Sequence, residues 1–352
     1  MSNTLWAFAS LAMSYPVFLD AAHKQVKMRF ASFNSGRRNS MTVFKSQEVT
    51  NALWGLATLG YSSAAGLVTE LAPALVEMAK DEEGELSVAS ISKVFIRQEL
   101  ANIAWACAVF NEYPPELMKM LYLGLMGVGE NEDSSYVTKV CADGGMHTSS
   151  MMSIVYLQTA MDLDNSNHAS LSLPRDFPEA WDDGVSVGTG EDNGMMDSGL
   201  TLSTSKIQRD VSSAFERIGF HHEVEHVISI ESLALDFGVQ ISPTQIEILS
   251  LDLANVESKI GIEVDGPAHF LSDISEDFDL DGSAREINGK IEYQFDWDGS
   301  AQNMNGPTVL KTRLLGRLGW RIINIPFWEW YQLKGDEAKQ DQYCKSLLES
   351  LK

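Results

Sequence analysis

Residues 260–270 read IGIEVDGPAHF. Ile260, Ile262 and Val264 alternate with Gly261, Glu263 and Asp265, the period of a strand with one buried face, and Gly266-Pro267 ends it. Glu263 and Asp265 therefore project from one side as neighbours. Two like charges so placed repel and need a cation between or beside them. Upstream, IEILSLDL (246–253) reads as a second strand, joined to the first through ANVES (254–258). An antiparallel hairpin across that link brings Asp252 toward Glu263 and Asp265.

Three carboxylates at one sheet edge could hold Mg²⁺, which takes oxygen ligands and keeps several waters. Such an ion would activate water against a phosphodiester. Asp252, Glu263 and Asp265 are thus candidate catalytic residues, with Asp252 and Glu263 the metal ligands of a Mg²⁺-dependent endoribonuclease. An Asp followed by Glu-x-Lys is the spacing of restriction-type nucleases, but Asp265 stands here where that pattern has lysine. His269 and Lys311 are the nearby substitutes. The structural alternative pairs the two carboxylates with Arg313 or Arg317 of the segment TVLKTRLLGRLGW (308–320). Both readings stay open at this stage.

That segment reads as a helix ending at Gly319, with Arg313 and Arg317 one turn apart, Lys311 close by and Arg321 just beyond. These cations could line phosphates, or form a solvated helix face. RIINIPFWEW (321–330) reads as a strand broken by Pro326, whose aromatics, Trp328 among them, could stack bases or alternate into the core. A capped amphipathic helix (203–220), a strand at 221–232 and a last helix (336–352) complete a small α/β sandwich with a mixed sheet. HEVEH (222–226) matches the zinc-protease spacing, but Gly219 has just closed a helix and the β-branched surroundings predict a strand, where that geometry is lost.

The first half is different. FKSQEVTNALWGLATLGY from Phe44 and FIRQELANIAWACAVFNEY from Phe95 share Phe-x-x-Gln-Glu-x-x-Asn-x-x-Trp, and SNTLWAFASLAMSYP opens the chain with Trp6 at the place of Trp54 and Trp105. Offsets of 48 and 51 residues with helical apolar spacing predict helical pairs that bury their faces only by stacking, a solenoid-like array without strands. Equivalent internal places are expected for the three tryptophans. The first copy lacks its Phe-x-x-Gln-Glu start, so an upstream continuation is expected.

The composition divides the chain into helical repeats over 1–160, an acidic flexible linker over 161–204 and an α/β domain over 205–352 with an acidic insertion at 271–303. The net charge of −23 argues at first against a nucleic-acid partner and for an acidic protein-interaction scaffold. Yet 161–200 holds 9 Asp/Glu against 1 Lys/Arg and 272–298 holds 9 against 2, while 299–352 is basic, with 8 Lys/Arg against 5. The acid sits mainly in the linker and the insertion. GVSVGTG (184–190) has no Lys-Ser/Thr and is no phosphate loop. Cys107, Cys141 and Cys344 lie too far apart for a zinc knuckle or disulfide framework, and no apolar run is long enough to span a membrane.

Taken together, Ser205-x-x-Gln208-x-x-Val211, Asp252, EVDGPAHF, LKTRLL and GWRIINIPFWEW make 205–352 resemble the RAP domain, an RNA-binding module abundant in apicomplexans. The preceding repeats are similar to those of algal and plant organelle RAP proteins and of the FAST kinase domain-containing family. That resemblance implies a restriction-endonuclease-like (PD-(D/E)XK) fold and an RNA-binding factor of mitochondrion or chloroplast, active in transcript or rRNA processing, stability or translation. It implies single-stranded RNA as partner, with ribonucleoprotein neighbours, no membrane and no small-molecule cofactor. Lys311, Arg313, Arg317, Arg321, His269 and Trp328 are the candidate RNA-binding residues. The family runs almost directly from His-Phe to Asn-Gly-x-Thr, where this chain inserts 271–303. No Arg/Ser-rich amphipathic start follows Met1.

Overall fold

The computed structural model describes residues 1–34, 45–126, 148–164, 205–228, 249–273, 285–287, 290–292, 303–333 and 335–351. The described chain is mostly helical, with a small mixed four-stranded sheet near its C-terminus.

Eight helices come first: α1 (Ser2–Ser10), α2 (Pro16–Asn34), α3 (Ser46–Thr58), α4 (Leu67–Ala79), α5 (Val88–Val94), α6 (Arg97–Phe110), α7 (Pro115–Met126) and α8 (Thr148–Asp164). The motif residues explain why α3 and α6 form and pair. Glu48 and Glu99 turn back to accept from the backbone N–H of Lys45 (3.3 Å) and Ile96 (3.0 Å), satisfying donors that open a helix. Asn102 Nδ2 donates to Asn51 Oδ1 at 3.3 Å, Ser46 Oγ to Glu99 Oε1 at 3.1 Å and Trp105 Nε1 to Thr58 Oγ1 at 3.1 Å. Each bond joins neighbouring copies and has a motif residue on at least one side. Between them Leu53, Leu56, Leu100, Ile103 and Cys107 are fully buried.

Contacts run α1 to α3, α3 to α6 and α6 to α8, with α2, α4 and α7 adjoining one another as a second layer. The helix α8 is a fourth copy that the motif search misses. Tyr156 stands 51 residues after Trp105, its ring edge-on to that indole at 5.7 Å. The tryptophans are not equally internal. Trp105 is buried, Trp54 is half-buried and Trp6 is 51% exposed, because α1 has a neighbour on one side only among the described residues.

The second half holds α9 (Lys206–Arg217), β2 (Glu223–Ile228), β3 (Leu249–Asn255), β4 (Ile260–Asp265), α10 (Gly306–Arg317), β8 (Arg321–Pro326), α11 (Phe327–Gln332) and α12 (Glu337–Ser350). The sheet order is β2-β3-β4-β8, antiparallel except for the parallel pair β4 and β8. HEVEH lies at and before β2: His222 Nε2 meets Ser212 Oγ at 2.8 Å and His226 pairs with Glu223. Pro326 closes β8, and the aromatics after it follow a helical period, burying Phe327 and Trp330 while Trp328 is half-buried and Tyr331 exposed. The strand alternation expected for them is lost because they belong to α11.

One face of the sheet, with Leu253, Ile262, Val264, Ile323 and Ile325, packs on Val211 and Phe215 of α9 and Cys344 of α12. The other face, with Leu249, Leu251 and Ala254, packs on Leu310, Leu314 and Leu315 of α10 and continues without a break into the helical core. Hence β4 is buried on both sides rather than one. The side carrying Glu263 and Asp265 faces α10 instead of water.

Two further contacts cross between halves. A two-residue strand in the helical half, β1 (Met13–Ser14), pairs in parallel with β5 (Ser272–Asp273) and departs from the all-helical expectation. Ser272 N donates to Ala12 O at 2.8 Å, so the backbone leaving α1 is held by the start of the insertion. Of the insertion, its end residues Leu271 and Asn303 and a hairpin of β6 (Arg285–Ile287) and β7 (Lys290–Glu292) are described as well; 274–284, 288–289 and 293–302, like 165–204 of the expected linker, lie outside the described residues. No helix among the described residues is long and apolar enough to cross a membrane.

Candidate functional site

The polar residues gather where β4 and β8 end. Asp252, in the middle of β3, accepts from Val264 N at 2.7 Å through Oδ2, and this side-chain contact stands where the β3–β4 ladder has stopped at Leu253 and Ile262. Glu263 is 4% exposed and Asp265 1%. Lys311 Nζ reaches Glu263 Oε2 at 2.6 Å, while Glu263 Oε1 is buried without a hydrogen-bond partner. Burial pushes the Glu263 carboxyl up to about 8, against the opposing pull of Lys311 and with help from Asp252. Burial also raises Asp252, against the N–H of Val264.

Asp265 works with a different set. Its Oδ2 accepts from Asn324 Nδ2 of β8 at 2.7 Å, and its Oδ1 lies 3.2 Å from His269 Nδ1. The same His269 nitrogen is 3.2 Å from Thr308 Oγ1. Asn305 caps α10 by accepting from Thr308 N at 3.0 Å and donates to Ala268 O at 2.7 Å, which ties the loop after β4 to the start of that helix. His269 is thereby aimed by a buried carboxylate, with its ring 37% exposed. Next to it Phe270 meets Trp328 edge-on at 4.5 Å.

Three residues that the sequence did not single out as site residues complete the set. Glu225 sits inside β2 at φ 53°, a strained conformation for a residue with a side chain. Its Oε1 accepts from Gln208 Nε2 at 2.7 Å, and Gln208 also lies 3.5 Å from Asp252 O. Gln208 was visible only as part of the helix-opening motif, and Asn324 only as one polar residue in a β-branched run. The place of Asn324 follows from sheet register, with Glu263 opposite Asn324 and Asp265 opposite Pro326, and that of Gln208 from the docking of α9 on the sheet.

The six candidate RNA-binding residues separate into three places. Lys311, His269 and Trp328 belong to the strand-end cluster. Arg313 and Arg317 face the other way: 200° and 240° around the helix from Lys311 at about 100° per residue. Arg313 donates to Val109 O at 2.8 Å and to Ala108 O, the last carbonyls of α6, and its Nε lies 3.2 Å from Asp164. Arg317 Nε donates to Asp164 Oδ1 at 2.9 Å, and the Asp164 side chain is 1% exposed. Neither arginine reaches Glu263 or Asp265. Arg321, at the start of β8 and so at the far end of the sheet, donates to Leu351 O at 3.0 Å.

As a metal centre the arrangement is sparse. No group of three His, Cys, Asp or Glu converges on one point among the described residues. Asp252 and Glu263 fit Mg²⁺ as a pair, since that ion is commonly held by one or two carboxylates plus water and phosphate, and the orphaned Oε1 of Glu263 is the atom free to bind it.

The family model of the RAP domain matches residues 262–347. The match takes in Glu263, Asp265, His269, Lys311 and Asn324, and leaves Gln208, Glu225 and Asp252 on elements before it. A comparison with curated proteins finds no match.

Proposed function

We propose that this RAP-domain protein binds single-stranded RNA, its helical repeats selecting the strand and its C-terminal sheet clamping it, in organellar transcript or rRNA processing, stability or translation. The RAP domain supports RNA binding. The motif resemblance to algal, plant and FAST kinase domain-containing proteins supports a mitochondrion or chloroplast and ribonucleoprotein neighbours. The side-by-side order of α1, α3, α6 and α8 supports a solenoid-like array, and the sheet crossed by α10 a PD-(D/E)XK-type fold. One observation carries the clamp: His269, aimed by buried Asp265, precedes Phe270, whose ring meets Trp328, beyond the carboxyl ends of β4 and β8, where sheets of this kind take ligands. Trp328 offers a ring to a base and His269 a donor to sugar or phosphate.

Titrating the full chain with a single-stranded oligoribonucleotide across a salt series tests this. Contacts to phosphates release counterions, so affinity should fall linearly with the logarithm of salt. No binding at low salt, or binding indifferent to salt, would leave the acidic scaffold as the reading.

The second reading is a Mg²⁺-dependent endoribonuclease centred on Asp252, Glu263 and Asp265, favoured by the partnerless Glu263 Oε1. Asp252 and Glu263 would hold the ion, which would supply an activated water. Lys311 would then stand in for the lysine displaced by Asp265. Against it, each carboxylate already has a partner in the fold, and the acids of this sheet end repel a phosphate. Melting the Glu263→Ala/Asp265→Ala variant with and without Mg²⁺ separates the two. A loss of melting temperature in both conditions supports the structural pairs; a wild type raised by Mg²⁺ beside an indifferent variant supports the enzyme.

A further inference from the structure

His269 keeps one ring nitrogen without a task in the fold. Its Nδ1 lies 3.2 Å from Asp265 Oδ1 and 3.2 Å from Thr308 Oγ1. Both oxygens act as acceptors toward the ring. The Asp265 carboxylate takes the amide of Asn324 through its other oxygen, and Thr308 Oγ1 gives its single hydrogen to Asn305 Oδ1 at 2.8 Å. Asn305 is itself fixed, its Oδ1 accepting from Thr308 N at 3.0 Å and its Nδ2 donating to Ala268 O at 2.7 Å. The hydrogen of the neutral imidazole therefore sits on Nδ1. Nε2 keeps its lone pair, has no partner among the described residues and belongs to a side chain 37% exposed. His222, by contrast, spends both ring nitrogens inside the fold, on Ser212 Oγ and Phe220 O.

A locked nitrogen on one side and an open one on the other make a base of an imidazole. The carboxylate holds the tautomer and stabilises the cation formed when the open nitrogen takes a proton. Asp265 is 1% exposed and is anchored to β8 through Asn324, so the sheet sets the direction of the ring. These groups share no side chain with Asp252 and Glu263, which are held by Val264 N and Lys311. RNA brings its own nucleophile to such a base, the 2′-hydroxyl beside each phosphate. Neutral, Nε2 accepts from that hydroxyl; protonated, it donates to sugar or phosphate.

We propose that His269, set by Asp265 and Thr308, is a general base that cleaves a bound single strand of RNA through its 2′-hydroxyl, a route separate from the Mg²⁺-dependent one. Nε2 takes the 2′-hydroxyl proton, the 2′-oxygen bonds to the adjacent phosphorus, and the bond from phosphorus to the 5′-oxygen breaks. Water gives the departing oxygen its proton, and the hydroxide so formed takes the proton from Nε2. The products are a 2′,3′-cyclic phosphate and a 5′-hydroxyl, with no net use of water. A base without a paired acid gives slow turnover. This rests on the RNA-binding reading and assigns a reaction to the same sheet end.

The test uses the full chain in EDTA with an end-labelled single-stranded oligoribonucleotide. Protein is in excess and saturating for each variant, so that affinity drops out of the rate. Fragments ending in a 2′,3′-cyclic phosphate are expected, and a 2′-O-methyl group on the nucleotide before a cut should abolish that cut. His269→Gln keeps a donor but takes no proton, and should slow cleavage at least about 100-fold. Added imidazole should restore part of the rate to His269→Ala, which a folding defect would not allow. Binding without cleavage in EDTA overturns the base and leaves the RNA contact standing. So does cleavage that needs Mg²⁺ and leaves a 5′-phosphate, or an unchanged rate in His269→Gln. A wild type that binds no RNA overturns both readings.

Discussion

Glu263 shows how much the strand-end cluster departs from what stability alone requires. Its carboxyl is buried, bonded to Lys311 through one oxygen and to nothing through the other. With its pKa raised from 4.5 to about 8, the folded protein holds a proton that the unfolded chain gives up. The sign follows. The stability tied to this proton is complete below about pH 4.5 and is lost as pH rises through about 8. Melting Glu263→Gln beside wild type from pH 5 to 8.5 should therefore show the variant gaining several degrees on wild type toward the alkaline end. Parallel curves would mean that Lys311 keeps Glu263 ionised throughout. At this scale the sequence was legible where a residue's role lies in its own strand: alternation alone put Glu263 beside Asp265. It was silent where the role depends on a neighbour. Lys311 rather than Arg313 or Arg317 meets the acid because of helix phase, and Glu225 enters through a backbone angle that no composition announces.

The element that organises the molecule is α10. Its N-terminus meets the C-terminal end of α3 almost backbone to backbone: a Cβ on Gly306 would lie 1.9 Å from Ala57 O, and one on Gly60 2.7 Å from Met304 O. The carbonyl end of one helix thus faces the amide end of another, a favourable alignment of dipoles. Further along, Arg313 caps α6, and Arg317 closes on Asp164 at the end of α8. Two alanine substitutions in this helix should have opposite signs. Gly316 is exposed with nothing near its Cβ position, so Gly316→Ala should raise stability by about 0.5–1 kcal/mol through helix propensity. Gly306→Ala must push α10 off α3 and should cost about 3 kcal/mol, splitting one thermal transition into two as the halves part. Calorimetry reads both; a single unshifted transition for Gly306→Ala would contradict the contact. The helix itself was readable from TVLKTRLLGRLGW. Its docking was not, since a glycine chosen for closeness looks the same as one chosen for a turn.

For the whole molecule, composition suggested two bodies on an acidic tether, yet one apolar core among the described residues runs through both halves, from Leu5 to Trp320, with a second between the sheet, α9 and α12. Repeats and sheet were legible because each writes its own period; the surface between them has none, joining leucines of α10 to carbonyl ends, two glycines and one carboxylate far away in sequence. A helix of 12 residues spans about 18 Å at 1.5 Å per residue. Three helices packed side by side at about 8–10 Å fill roughly that length. So α10 acts as a gauge whose length admits α3, α6 and α8 and leaves no room for a further copy among them. An array of this kind could lengthen through evolution beyond α1 without disturbing a single docking contact, but a duplication between α3 and α8 would put every later helix out of step with the gauge. The arginine spacing of one helix thereby limits where this array is free to grow.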